Sequence, residues 1–153
     1  MLIDPIVFVP GWNPPRFKIL ANNDTKSAPG HQGGILIPKD IRGYFPNLAG
    51  QLTQQQPTLD HSITADLFDG TGCLGTVSTR YQYQTWGAER SPESRLTDQL
   101  SDLMYRAAGG DVMVFVRNGR DPDHYRLVLV RRSSPDFGPL IARTGGARWG
   151  LLR

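Results

Sequence analysis

Two short stretches carry more hydrogen-bonding chemistry than plain connections need. The first, Asn22 to Pro38, begins with Asn22, Asn23, Asp24, Thr25 and Lys26 and then brings His31 and Gln32. These groups are too many to hide in a core and more varied than a linker requires. The second, Thr79 to Thr97, holds Arg80, Tyr81, Gln82, Tyr83, Gln84, Trp86, Arg90, Glu93, Ser94 and Arg95. Together they supply every side chain used to read base edges. Arg forks onto guanine O6 and N7, Asn or Gln pairs with adenine, and Asp or Glu accepts from cytosine N4. Lys18, Lys26, Lys39 and Arg42 surround these groups as candidate phosphate holders. A carboxylate on a basic surface repels DNA unless it meets a cytosine amino group. Asp24 and Glu93 are therefore the most telling members on this reading. The competing reading of the second stretch is a long exposed hairpin with a solvated face.

The charge balance agrees with an anionic partner without demanding one. Net charge is +3 and the sequence pI about 9.3. Of the 17 cationic residues only Lys18, Lys26 and Lys39 are lysines. Arginine's planar fork suits phosphate and guanine, although a GC-rich genome favours the same bias. Cys73 is the sole cysteine, so no internal disulfide or cysteine zinc site is available. The start, MLIDPIVFVPGW, lacks a basic region, and its apolar run is too short for a signal peptide or a membrane span. A cytoplasmic setting without membrane contact is expected.

Catalytic patterns are missing. His31, His61 and His124 lie far apart with no metal-ligand spacing, and the last two read as ordinary strand histidines. No phosphate loop occurs, and His61-Ser62 has no nucleophile elbow around it. Pro135-Asp136 supplies only the first half of a metal-dependent nuclease motif. Asp24-Thr25-Lys26 is too short a triplet to supply the second. No catalytic or metal-binding residue is assigned.

The elements that must position these groups are mostly strands. Arg16–Asn23, Gly33–Pro38, Leu59–Gly70, Gly75–Trp86, Asp111–Asn118 and His124–Arg132 read as strands from their composition and alternation. In the third, Leu59, His61, Ile63, Ala65 and Leu67 share one face. Arg80, Gln82 and Gln84 face away from Tyr81 and Tyr83. One helical turn is expected near Lys39–Leu48. One full helix is expected from Thr97 as N-cap to Gly109, with a buried stripe of Leu100, Leu103, Met104 and Ala107. The segment from Gly138 to Arg153 is expected to give a short strand and a loose end. About seven strands with few helices predict a closed or half-closed antiparallel barrel in one domain, residues 1–153.

The first stretch resembles the start of the N-terminal effector domain of EcoRII-type restriction endonucleases. The similarity rests on Lys18, Asn23-Asp24-Thr25, Gly30-His31-Gln32 and the strand from Gly34 to Pro38. The second stretch is similar more loosely, through Thr79-Arg80, Tyr81, Glu93-Ser94-Arg95 and Leu96-Thr97. The resemblance implies a mainly β fold: the DNA-binding pseudobarrel, an open barrel of seven strands and two short helices shared with plant B-three domains. It implies double-stranded DNA as partner, gripped in the major groove by two arms, Asn22–Gln32 and Arg80–Arg95. The expected DNA-binding residues are Lys18, Asn22, Asn23, Asp24, Thr25, Lys26, His31, Gln32, Arg80, Tyr81, Gln82, Trp86, Arg90, Glu93, Ser94 and Arg95. A short GC-rich target, CCWGG-like in the first instance, is implied. So is a covalently linked nuclease domain in a larger restriction enzyme, the nuclease alone needing magnesium and DNA binding needing no cofactor. The chain departs from the family at Leu36, where a tyrosine is usual, and at Ser94, where a basic residue is usual. The second arm is also longer, with Trp86 and Pro92.

Three alternatives stay open. One is a small metal-dependent nuclease with a divergent site. Another is a transcription factor or modified-base reader on the same barrel, with Trp86 and Tyr81 or Tyr83 clasping a flipped base. The last is a single-strand or RNA binder that uses the aromatic strand for stacking.

Overall fold

The computed structural model describes residues 1–25, 34–48, 58–85 and 91–153. Eight strands form one curled sheet: β1 Arg16–Ile19, β2 Ile35–Ile37, β3 Thr58–Asp69, β4 Gly72–Gln84, β5 Glu93–Thr97, β6 Val112–Arg117, β7 His124–Val130 and β8 Trp149–Leu151. Their order across the sheet is β2-β5-β4-β3-β7-β6-β1-β8. The expected count of seven is thus one short. The addition is β5, which pairs with β4 where the sequence predicts no strand; the short strand expected in the tail is β8, whose Trp149 and Leu151 pair with Lys18 and Arg16. All pairings are antiparallel except β3–β7, so the barrel is mixed.

Apolar alternation explains which face each strand buries. In β3, Ile63, Ala65 and Leu67 are buried and their neighbours Ser62 and Thr64 are exposed. β6 and β7 differ, because both their faces are covered. Met113, Phe115, Tyr125, Leu127 and Leu129 point into the barrel interior. Val112, Val114, Val116, Val128 and Val130 point outward into a second core. That core is closed by α1 (Asp4–Val7), α3 (Phe137–Ala142) and Leu152. Double burial is why VMVFV and LVLV read as unbroken apolar runs. The barrel interior is plugged by Phe45, stacked between Tyr81 and Tyr125 at 5.3 and 5.2 Å.

The expected long helix contracts to α2, Ser101–Met104. Thr97 belongs to β5, and Asp98 and Gln99 take positive φ (89° and 57°), which breaks the chain before any cap forms. The stripe itself survives: Leu100, Leu103 and Met104 are buried in the barrel interior. The expected strand Arg16–Asn23 stops at Ile19 and gives way to a 3-10 turn, Asn22–Asp24. The turn expected near Lys39 is present as a 3-10 segment, Lys39–Tyr44. The tail is packed rather than loose, with α3 first and β8 after it.

The two sheet edges, β2 and β8, are three residues long. Side chains from β1 and β8 reach across the gap to β2 and to the 3-10 segment that follows it. Lys18 Nζ donates to the Leu36 carbonyl at 2.6 Å, and Trp149 Nε1 donates to Asp40 Oδ2 at 2.9 Å.

Candidate nucleic-acid interface

The described ends of the first polar stretch are the 3-10 turn after β1 and the strand β2. Asp24, at the end of the 3-10 turn, is 2% exposed. Its carboxylate accepts from the Ala21 amide at 2.8 Å and from the Leu36 amide at 3.0 Å. Lys18 Nζ lies 3.0 Å from Oδ1 and 2.8 Å from Oδ2. Thr25 is fully buried, and its hydroxyl donates to the Asn22 carbonyl at 2.8 Å. Burial holds the Lys18 ammonium below its usual pKa, and Arg95 and Arg148 push the same way. The Asp24 carboxylate opposes them. Gly34, where β2 starts, has φ +115°, and a Cβ there would run into the Leu96 carbonyl oxygen. A glycine is therefore needed where the first arm rejoins the sheet.

The second stretch is the β4–β5 ribbon. Register fixes which side chains stand together on the outer face. Leu36, Arg95, Gln82 and Asp60 make one row across β2, β5, β4 and β3. Glu93, Gln84 and Thr58 make the next, towards the tip. Thr97, Arg80 and Ser62 make a third, away from it. Within these rows Arg95 donates to Glu93 at 3.0 Å. Arg80 is half exposed and lies 3.6 Å from both Asp60 and Asp98. The opposite face points inward, so Tyr81 and Ser94 are buried. At the root of the second arm, Arg42 donates to the Pro92 carbonyl at 2.7 Å and lies over the Tyr83 ring at 5.6 Å.

Lys18, Asn23, Asp24, Leu36, Glu93 and Arg95 thus meet in one recess of about 250 Å3 between the feet of the two arms. Arg80, Gln82 and Gln84 continue the surface beyond it, and Asn22 lies exposed at its margin against Gly109. Five residues expected to touch DNA are buried instead, Lys18 among them at 5% exposure and bonded to Asp24 and the Leu36 carbonyl. Tyr81 and Ser94 face the core because strand alternation turns them away from Arg80, Gln82 and Arg95. Asp24 and Thr25 are buried because the 3-10 turn folds their side chains back onto backbone groups. Arg42, expected on phosphate, is bonded to the Pro92 carbonyl instead. Lys26, His31, Gln32, Trp86 and Arg90 lie outside the described residues.

Sequence reasoning passed over Arg148 and Trp149. The Arg148 carbonyl accepts from the Ile19 amide at 2.7 Å, which brings the exposed Arg148 next to β1. Only the basic-aromatic pair Arg148-Trp149 hinted at this. The described histidines sit elsewhere: His61 pairs with Asp123 and His124 with Asp66, each at 2.9 Å. Among the described residues no group of three or more His, Cys, Asp or Glu is placed to hold a metal ion. No helix among them is long and apolar enough to cross a membrane.

No protein-family model matches the sequence, and no curated protein matches it. Solved structures do match. The B3 domain of the UbaLAI restriction endonuclease, solved as a mutant with cognate DNA, superposes with a TM-score of 0.58 at 20% identity. That overlay covers 99% of this chain and 98% of that one. The Arabidopsis FUS3–DNA complex superposes with a TM-score of 0.54 at 18% identity, covering 76% of this chain and 96% of that one. The chain has the B3-type DNA-binding pseudobarrel fold, with eight strands in its sheet.

Proposed function

We propose that this domain reads a short double-stranded DNA site by sequence, as the recognition part of a restriction endonuclease whose nuclease lies in a separate domain. The observation that carries the reading is the outward row of Arg95 and Gln82, with Glu93 and Gln84 beside it, set between the roots of two arms. These side chains offer a guanine fork, two adenine-type amides and a cytosine acceptor on one rigid ribbon. Strands hold such groups more firmly than loops do. Arg80, Asn22 and Asn23 flank the row. Lys26, His31 and Gln32 on the first arm, and Trp86 and Arg90 on the second, complete the clamp on this reading. On this reading the exposed Lys39 and Arg148 are candidate phosphate contacts.

Restriction is favoured over transcription for two reasons. The sequence resemblance is to EcoRII-type effector domains, and the overlay with the UbaLAI B3 domain spans nearly all of both chains. A GC-rich site, CCWGG-like in the first instance, suits the arginine content. The domain itself cuts nothing on this reading, and magnesium is required only by the linked nuclease.

The test is selection of bound sequences from a random duplex pool at near-physiological salt and without metal. A motif of about 3–6 base pairs with G and C at defined positions is expected. Binding without enrichment that collapses as salt rises would reduce the surface to a basic patch and end the proposal.

A further inference from the structure

We infer that Lys18 and Asp24 form a buckle that clasps both feet of the first arm, and that they serve recognition by position rather than by touching DNA. This deepens the base-reading proposal and rests on it for its binding readout.

The geometry assigns each atom of the pair a task. Asp24 belongs to the outgoing foot of the arm, Leu36 to the returning foot and Lys18 to neither. One Asp24 oxygen accepts from the Ala21 amide, which closes the outgoing turn. The other accepts from the Leu36 amide, which ties the outgoing foot to the returning one. Lys18 bridges the same two points from β1, meeting the carboxylate and the Leu36 carbonyl. The peptide at Leu36 is thus held by its N–H and by its C=O, through two oppositely charged side chains. Leu36 then pairs with Arg95 on β5. The buckle therefore sets the first arm against the strand that carries the second.

Burial rules out a direct role for either group in the folded domain. Asp24 is 2% exposed and Lys18 5%. The carboxylate's oxygens are engaged with two amides and an ammonium, so none is left to accept from a cytosine. A buried pair of this kind adds little net stability, because desolvation offsets attraction, yet removing one partner strands the other. Its contribution is then geometric specificity.

The experiment uses Asp24→Asn, Lys18→Met and the double variant carrying both. Binding is measured to the selected site, to its single-base-pair substitutions and to unrelated duplex, and amide hydrogen exchange is followed at Leu36. Each single variant strands a partner and lowers the melting temperature. The double variant holds no buried charge and regains most of the loss. The buckle predicts that the double still binds the selected site about tenfold or more weakly. It predicts an unchanged order of preference among the substituted sites, unchanged binding to unrelated duplex and faster exchange at Leu36. Two results overturn it: a change of preference confined to one base pair, which makes Asp24 a reader, or wild-type binding and exchange in the double variant. A wild type that prefers no sequence ends the base-reading proposal instead, and the Leu36 exchange rate then decides the buckle alone.

Discussion

The two halves of the sheet are built to opposite plans. β6 and β7 are apolar on both faces, one turned to the barrel interior and the other to α1 and α3. β4 and β5 turn Thr79, Tyr81, Ser94 and Leu96 to the interior, and their other face carries Arg80, Gln82, Gln84, Glu93 and Arg95. Both halves use the same backbone ladder, so the difference lies in what covers the outer surface. One half spends its outer face on a second core, which anchors the sheet. The other leaves a rigid polar ribbon open to a partner. On the function proposed, stability and recognition are separable along the chain.

That separation can be broken most forcefully in the anchoring half. Phe115, fully buried against Phe45 with ring centres 5.5 Å apart, is expected to cost about 3–5 kcal/mol when changed to Ala. A loss below about 1 kcal/mol in urea unfolding would show that the interior does not hold the sheet. Alkaline titration probes the same interior next. Burial raises the phenol pKa values of Tyr44, Tyr81 and Tyr125 above the usual 10.0. The unfolded chain releases those protons first, so their stabilisation is complete below pH 10.0 and declines above it. Lys18, with its lowered pKa, acts in the opposite sense up to its unfolded value of 10.5. Above pH 10.5 only the phenols remain, and a falling melting temperature with unfolding-linked tyrosinate absorbance is expected there.

The recognition half should respond in binding instead. Arg95→Ala is expected to lose about 1–3 kcal/mol of discrimination at a single base pair. Arg80→Ala, whose guanidinium is shared between Asp60 and Asp98, should lose less. Binding to a panel of single-substitution duplexes, with melting curves alongside, checks both. If Arg95→Ala weakens every duplex equally, Arg95 is a phosphate contact. The smallest effect is expected at the join: Trp149→Phe removes one hydrogen bond to Asp40, about 0.5–1.5 kcal/mol of stability.

Much of this plan is legible in the sequence because it follows period two. The alternation in Leu59–Leu67 and in Arg80–Gln84 places side chains on the faces they occupy. By the same rule Tyr81 and Ser94 belong inside, whereas residue type and the family resemblance point them at DNA; strand alternation prevails. The helix from Thr97 failed because the apolar stripe at helical spacing is satisfied by one turn, once Asp98 and Gln99 adopt positive φ. Asp24 was the least legible. Nothing local reveals that Lys18 and Leu36 converge on it, since their meeting depends on the sheet curling until β1 lies beside β2. The join through Trp149 and Asp40 spans the chain from end to middle and was hidden for the same reason.

That join has a mechanical meaning. Among the described residues β2 shares no ladder hydrogen bond with β1 or β8. Side chains therefore help to set the width of the gap: the Trp149 bond at about 0.5–1.5 kcal/mol and the charged Lys18 and Asp24 bonds to Leu36 at about 1.5–3 kcal/mol each. Those energies match the worth of one good base contact. Widening the gap would break no ladder hydrogen bond among the described residues. A change at Trp149 loosens one of these ties at little cost, whereas a change at Lys18 alone strands the buried Asp24.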